Sequence, residues 1–215
     1  MQTLGAAKLS RQLQKNIPST SFLNKIKIAY RPYICPFDKL LALIPPQAKI
    51  FDVGCGSGMF LMLAAEFTRP AQLGGIEVSS ELVQNATELL KGYQLPLDLQ
   101  LYDGVTLPDS LKAYDLIFLI DVLHHIPPTN QAPFLRNIYD KMSKGSKLIL
   151  KDIDGSQKFW SYFNKMHDFV FSGEVGNELP SGQVLGECRD IGFAVLAFSV
   201  QRMFVYPHYT IVLAK

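Results

Sequence analysis

From Ala48 onward, short apolar runs alternate with segments whose apolar residues recur every three or four positions. The first pattern is typical of buried β-strands and the second of amphipathic helices. Five apolar runs predict strands here: AKIFDV, GGIEV, LDLQLY, YDLIFLI and KLILKDI. Repeated strand–helix units of this length predict right-handed crossovers and a parallel sheet between two helical layers.

Three helical stripes separate these strands, within residues 60–67, 82–90 and 134–142. Ser79 or Ser80 is a suitable N-cap for the second helix, because a serine side chain accepts hydrogen bonds from the first free amides. The third stripe follows two prolines, which also favour a helix start.

The end of the chain breaks this pattern. AVLAFSVQRMFVYPHYTIVLA contains two β-rich runs with no room for a helix between them, so we expect antiparallel strands that turn around Tyr206, Pro207 and His208. The predicted fold is an α/β three-layer sandwich, with a mostly parallel seven-stranded sheet whose last strand is antiparallel. We expect residues 1–47 to form a helical segment that covers the site. Residues 48–215 would form the main domain, with a lid-like insertion at about 155–182.

Composition narrows the class of protein. The chain has 215 residues, 48% apolar and 19% charged, as expected for one folded, soluble domain. A net charge of +2 gives no indication of nucleic-acid binding, and no apolar run approaches the roughly 20 residues of a membrane span. The cysteines are odd in number and lack CxxC spacing, so neither a disulfide framework nor a zinc site is indicated. We therefore expect a cytoplasmic protein without a metal.

The N-terminal segment is basic. Before Asp38 there is no acidic residue, and there are six basic ones: Lys8, Arg11, Lys15, Lys25, Lys27 and Arg31. The simplest interpretation is a solvated helix whose Leu4, Leu9 and Leu13 pack against the protein. The alternatives are contact with an anionic surface or substrate, including peripheral contact with a membrane, and an organellar transit peptide.

The stretch FDVGCGSGMF places three glycines at alternate positions directly after the first predicted strand. Without Cβ atoms, Gly54, Gly56 and Gly58 let the backbone turn sharply and approach a ligand closely. Ligands of open parallel sheets bind beyond the carboxyl ends of the strands, so this turn predicts a binding site. A dinucleotide fingerprint, GxGxxG, would require glycine where the chain has Met59.

The pattern D-x-G-x-G-x-G, from Asp52 to Gly58, resembles the first motif of class I S-adenosylmethionine-dependent methyltransferases of the small-molecule type. Three further stretches match in order. Glu77 ends the second strand 19 residues after Gly58, Asp103 lies four residues before the Leu of the Leu-Pro pair in YDGVTLP, and YDLIFLIDVLHHIP resembles the fourth motif. The resemblance runs from about Arg31 to the C-terminus, and it implies S-adenosylmethionine as cofactor.

The resemblance also implies residue roles. Glu77 would accept hydrogen bonds from both ribose hydroxyls and Asp103 from the adenine amino group. Asp52 would hold the cofactor's amino group, directly or through the loop, and Asp121 would lie near its methionine and sulfonium. The implied cofactor-binding residues are Asp52, Gly54, Gly56, Gly58, Glu77, Val78, Asp103, Gly104 and Asp121.

Candidates for a general base are histidines. A base is needed only when the acceptor is a neutral hydroxyl, amine or acidic carbon, because the sulfonium already activates the methyl group. His124 and His125 follow the fourth strand, and His167 lies in the aromatic stretch FWSYFNKMHDFVF. For His124 and His125 the alternative is a structural role at a helix start, and for the aromatic stretch it is packing. Arg31 and Tyr33 are further candidates for contact with the cofactor or the acceptor.

The expected function is methyl transfer to a small-molecule or lipid-like acceptor, apolar or anionic in character. The stretch IDVLHHIPP is similar to enzymes that act on small metabolites, quinols and lipids, and no NPPY motif of DNA methylation is present. One alternative is a methyltransferase-like cofactor-binding module without turnover. Another is an NAD-dependent oxidoreductase, which Met59 and the terminal hairpin disfavour. The acceptor, the methylated atom and the oligomeric state stay open.

Overall fold

The structure is a computed structural model that describes residues 4–16, 22–156 and 176–215. The chain divides into two compact units, Met1–Gly104 and Val105–Lys215, which are described in turn. His167 and most of the predicted insertion at 155–182 lie outside the described residues. The expectation of a lid there stays a prediction, as does the division into segments 1–47 and 48–215.

The first unit begins with three helices: α1 (Ala6–Asn16), α2 (Phe22–Ile34) and α3 (Phe37–Leu41). Leu9 and Leu13 of α1 are fully buried. The Ser10 hydroxyl donates a hydrogen bond to the Ala29 carbonyl of α2 at 2.8 Å. The apolar side of α1 is therefore packed, as the simplest interpretation of the basic segment expects.

Three strands and two helices complete this unit: β1 (Lys49–Val53), α4 (Met59–Thr68), β2 (Gln72–Glu77), α5 (Ser80–Leu90) and β3 (Leu97–Leu101). Strand β2 pairs in parallel with both β1 and β3. Ser79 is the N-cap of α5, since its hydroxyl accepts from the Leu82 amide at 3.4 Å, which confirms one of the two predicted caps.

In its described residues, 105–156 and 176–215, the second unit contains four strands and two longer helices: β4 (Leu116–Ile120), α6 (Pro128–Lys141), β5 (Lys147–Ile153), α7 (Ser181–Ile191), β6 (Ala194–Met203) and β7 (Tyr206–Ala214). All five residues of β4 are buried, as its continuous apolar run predicts. Strands β4 and β5 are parallel, and β7 is antiparallel to both of its neighbours, β5 and β6.

The strand order is β3-β2-β1-β4-β5-β7-β6. This order, with β7 as the antiparallel strand, confirms the predicted fold class, a mostly parallel seven-stranded sheet whose last strand is reversed. Within the described ranges, no helix is both long enough and apolar enough to cross a membrane.

Two features near the C-terminus differ from the sequence-based expectation. The turn does not lie around Tyr206, Pro207 and His208, which begin β7; it lies at Phe204 and Val205, where Phe204 has a φ of 53°. Pro207 has no amide N–H to donate, but it keeps a carbonyl acceptor. That carbonyl accepts a hydrogen bond from the Asp154 amide at 2.8 Å, so Pro207 still takes part in strand pairing. Helix α7 is the second difference, since no stripe in the sequence predicted it.

Candidate functional site

The glycine turn joins β1 to α4 in a left-handed backbone conformation. Gly54, Gly56 and Gly58 have φ values of 77°, 54° and 78°, which L-residues with side chains adopt at a cost. The amides of Gly54 and Cys55 both donate to the Ile76 carbonyl of β2, at 2.8 and 3.0 Å. The turn is thereby fixed to the neighbouring strand.

Two glycines also allow close packing around this turn. A Cβ added to Gly58 would lie 3.0 Å from the Ala86 Cβ of α5. A Cβ added to Gly75 of β2 would lie 3.0 Å from the Asp52 carbonyl oxygen and 3.0 Å from the Cys55 Cβ. Gly75 of β2 packs against this turn, although the sequence interpretation did not select it; the available signal was the Gly-Gly pair within a strand.

Glu77, the last residue of β2, is bound to the turn. Its Oε2 accepts a hydrogen bond from the Gly56 amide at 3.0 Å, and its Oε1 accepts from the Ser79 amide at 3.1 Å. A carboxylate has about four acceptor positions, so both oxygens retain capacity for further donors such as ribose hydroxyls. The two backbone amides fix the orientation of the carboxylate before any ligand is present.

Asp52 lies beneath the turn and is 3% exposed. Its buried Oδ1 accepts no hydrogen bond from any residue that the structure describes. Burial, and then the negative charge of Glu77, hold the pKa of Asp52 well above its usual value. A buried acceptor of this kind fits a cationic donor from a ligand, such as an amino group.

Cys55 is a packing residue. Burial raises the pKa of its thiol, and the charges of Asp52 and Glu77 raise it further. A thiol that keeps its proton is a poor nucleophile, so the structure agrees with the interpretation of Cys55 as a small side chain that packs inside the turn.

The residues that follow β2 and β3 combine acidic and apolar side chains. Val78, next to Glu77, is 64% exposed, and Leu101, at the end of β3, is 61% exposed. Asp103 and Gly104 are exposed in the loop after β3, where Gly104 has a φ of 83°. Apolar surface beside carboxylates is the combination that a nucleoside requires, because its base is flat and its sugar carries hydroxyl donors.

In the second unit, Asp121 directly follows β4 with a left-handed φ of 54°. Its carboxylate pairs with the Lys151 ammonium of β5, and its amide donates to the Lys151 carbonyl at 2.9 Å. Lys151 is fully buried. The backbone and the side chain of one lysine therefore both hold Asp121 in place.

His124 and His125 occupy a short 3-10 helix after Asp121, but their environments differ. His124 is buried, and its Nδ1 lies 2.5 Å from Asp152 Oδ1, while its amide donates to Asp152 Oδ2 at 3.1 Å. His125 is exposed, and its ring centre lies 4.1 Å from that of His124. Of the two candidates, His125 is the one accessible to an acceptor.

The end of β5 carries charged residues that the sequence interpretation missed. Lys151, Asp152 and Asp154 are all buried, and they bind Asp121, His124 and the start of α7, respectively. Burial alone would raise the pKa of Asp154, but hydrogen bonds, chiefly from the Ser181 amide and also from Ser156, lower it below its usual value. The available signal was the KDID run at the end of an apolar strand.

The remaining candidates are placed as follows. Arg31 and Tyr33 lie in α2 and are half-buried. His208, which the sequence predicts in a turn, is buried in β7. Among the described residues, no cluster of His, Cys, Asp and Glu is arranged to hold a metal ion. The functional roles of the selected residues stay predictions.

Comparison with known proteins gives both sequence relatives and structural neighbours. The chain is 26% identical over 126 residues to a carboxy-S-adenosyl-L-methionine synthase of Campylobacter fetus, covering 56% of this chain and 53% of that protein. The chain spans about half the length of the curated relatives it matches.

Two solved structures share the fold. The magnesium protoporphyrin IX methyltransferase of Synechocystis with bound SAH has a TM-score of 0.68 at 17% identity, over 95% of this chain and 93% of that one. A SAM-dependent methyltransferase of Aquifex aeolicus has a TM-score of 0.67 at 17% identity, over 91% and 100%. At such identities the likeness establishes the fold.

A family model described as a methyltransferase domain matches residues 27–197. The match contains the glycine turn, Glu77, Asp103 and the segment after β4. This match confirms the predicted resemblance to methyltransferases at the level of the family. The sequence relatives and structural neighbours agree with S-adenosylmethionine as the cofactor. Since the model covers most of the sequence, this chain belongs to the methyltransferase-domain family.

Proposed function

We propose that this protein is an S-adenosylmethionine-dependent methyltransferase that acts on a small-molecule or lipid-like acceptor. The observation that carries the proposal is the arrangement of Glu77, whose two oxygens are bound to the Gly56 and Ser79 amides next to a left-handed glycine turn. A carboxylate that is fixed beside a glycine turn suits a ligand with neighbouring hydroxyls.

Residues of the first unit would hold the cofactor. Glu77 would accept from the ribose hydroxyls, and exposed Asp103 would accept from the adenine amino group. Val78 offers an apolar surface to the base, since it is largely exposed. Asp52 Oδ1, which has no partner among the described residues, would accept from the amino group of the methionine part.

Methyl transfer needs few catalytic groups from the protein. When bound, S-adenosylmethionine supplies a methyl group on a sulfonium, which is already a good electrophile. The protein's residues orient the cofactor and the acceptor and exclude water. Of the two candidate histidines that the structure describes, exposed His125 would take a proton from a neutral acceptor, while buried His124 is held by Asp152.

The choice of acceptor class rests on the sequence. IDVLHHIPP is similar to the corresponding stretch of enzymes for small metabolites, quinols and lipids, and the modest net charge of +2 does not favour a nucleic acid. Small phenols, quinols and fatty acids are therefore the first acceptors to test.

The experiment has two steps. Calorimetry with S-adenosylmethionine, its demethylated product and NAD identifies the cofactor; we expect the first two to bind and NAD not to bind. Incubation with each acceptor, followed by measurement of the demethylated product, then tests turnover. Tight cofactor binding without turnover on any acceptor would favour a binding module, and NAD binding alone would reject the proposal.

A second candidate function follows from the relatives named carboxy-S-adenosyl-L-methionine synthase. In that case the protein would form or bind a carboxylated S-adenosylmethionine. Mass spectrometry of the nucleoside that co-purifies with the protein distinguishes the two candidate functions, because carboxylated S-adenosylmethionine is heavier than S-adenosylmethionine by one carboxyl group. Unmodified cofactor or its demethylated product supports methyl transfer.

A further inference from the structure

Asp52 is a carboxyl group in an environment that opposes its charge. It lies on β1 opposite Gly75 of β2, and it is 3% exposed. Its Oδ1 is buried and accepts no hydrogen bond from the described residues. Transferring a carboxylate from water to such a place is costly unless a donor or a cation accompanies it.

Among the described residues, the titratable groups that act on Asp52 do not compensate a negative charge on its carboxylate. They are Glu77 at the end of β2, which is a second carboxylate, and Cys55 in the glycine turn, whose thiol keeps its proton. The Glu77 carboxylate accepts hydrogen bonds from the Gly56 and Ser79 amides, whereas Asp52 Oδ1 has no donor among the described residues. A buried acid that lacks a donor and feels a second negative charge is held in its neutral form, first by burial and then by that charge.

We propose that Asp52 is protonated in the cofactor-free protein and that binding of the cofactor's cationic amino group displaces this proton to the solvent. The proposal rests on the proposed function, because S-adenosylmethionine is the ligand that would bring an ammonium group to Asp52. Cofactor binding would then be coupled to pH, in contrast to binding at a permanently charged aspartate.

Electrostatics explains both the protonation of Asp52 in the free protein and its ionisation when the cofactor binds. In the free protein, burial and Glu77 both favour the neutral acid. An ammonium beside Asp52 supplies a cation and hydrogen-bond donors, so it favours the carboxylate. Linkage then requires affinity to rise with pH, by up to about tenfold per pH unit, until Asp52 is ionised in the free protein.

Calorimetry in two buffers measures the proton directly. The titration of S-adenosylmethionine into the protein is carried out at about pH 6, where the ligand's own α-amino group, with a pKa near 8, stays protonated. Phosphate and Bis-Tris differ in ionisation enthalpy, so a released proton makes the apparent binding enthalpies differ. We expect a net release of protons when the cofactor binds to the wild type.

Two variants test whether the released proton comes from Asp52. Asp52→Asn should bind without any difference between the buffers, because the amide has no proton to release. Glu88→Gln removes an exposed carboxylate on α5 and should retain the full release. If Asp52→Asn does not fold, infrared difference spectra of the wild type replace it: the band of a protonated carboxyl group should disappear when the cofactor binds.

The outcomes separate this proposal from the proposed function. Binding of S-adenosylmethionine with equal enthalpies in both buffers would overturn the proton release and leave the proposed function intact. Proton release that persists in Asp52→Asn would overturn the assignment to Asp52. Absence of S-adenosylmethionine binding by the wild type would reject both.

Discussion

The carboxylate of Glu77 accepts a hydrogen bond from the Gly56 amide at 3.0 Å, so the acid at the end of β2 is part of the glycine turn after β1. The conformation of the turn and the orientation of the acid therefore depend on each other. Gly56 keeps its left-handed φ of 54° with its amide directed at Glu77. A change at either residue should affect both the stability of the turn and the binding of the cofactor.

Replacing Glu77 by Ala should weaken binding of S-adenosylmethionine by about 1–3 kcal/mol, the usual loss when hydrogen bonds to a charged acceptor are removed. Calorimetric dissociation constants measure this, and Glu88→Ala on exposed α5 is the matched control. Glu77→Gln should lose less, because one amide oxygen still accepts. An unchanged dissociation constant in Glu77→Ala would show that the acid does not contact the ligand.

Replacing Gly58 by Ala should destabilise the protein by about 2–4 kcal/mol, because strain at a φ of 78° adds to the close approach of the new Cβ to Ala86. Gly56→Ala meets open space and should cost only the strain, about 1–2 kcal/mol. Gly92→Ala, with no neighbour within 4 Å, is the control. Urea unfolding gives the three values, and equal values for Gly58 and Gly56 would refute the packing argument.

Replacing Lys151 by Met should destabilise the protein by about 3–5 kcal/mol, since it leaves the Asp121 carboxylate without its buried partner. Adding Asp121→Asn to the same variant should recover most of the loss, because a neutral pair no longer buries an uncompensated charge. Chemical unfolding of both single variants and of the double variant gives the free energies of unfolding for a double-mutant cycle. Additive losses would mean that the two side chains do not interact energetically.

Replacing His125 by Ala should slow methyl transfer to a neutral acceptor by about 100-fold or more, the usual contribution of a general base, with cofactor affinity little changed. His124→Ala should instead lower the melting temperature, because it removes the buried partner of Asp152. Rates of product formation and thermal unfolding measure the two effects. Wild-type turnover in His125→Ala would remove this residue from the mechanism.

Much of the fold is visible in local patterns. The β4 run LIFLI is continuously apolar, as a strand that is buried throughout requires. Ser79 is one of the two residues predicted as a cap, since capping depends on neighbours three residues away. The hairpin turn was misplaced because Pro207 is a turn residue in most contexts, whereas here its position in β7 leaves its carbonyl bonded to Asp154. That contact joins residues distant in sequence, which periodicity does not reveal.

The residues of the candidate site also fall into two groups, those that a sequence motif predicts and those that only the folded structure reveals. The glycines, Glu77 and Asp103 have a fixed spacing along the chain, so a motif is sufficient to find them. Lys151 and Asp152 were missed because their importance comes from contacts with Asp121 and His124, 30 and 28 residues away in sequence. That Asp52 Oδ1 has no hydrogen-bond partner among the described residues is likewise a property of packing, which appears only when β1 lies beside β2.

A crystal structure of the protein grown with the demethylated cofactor tests the central claim most directly. The account predicts a nucleoside at the glycine turn, with both ribose hydroxyls within hydrogen-bonding distance of the Glu77 carboxylate and the amino group at Asp52. A ligand bound elsewhere, or a ribose that makes no contact with Glu77, would contradict it.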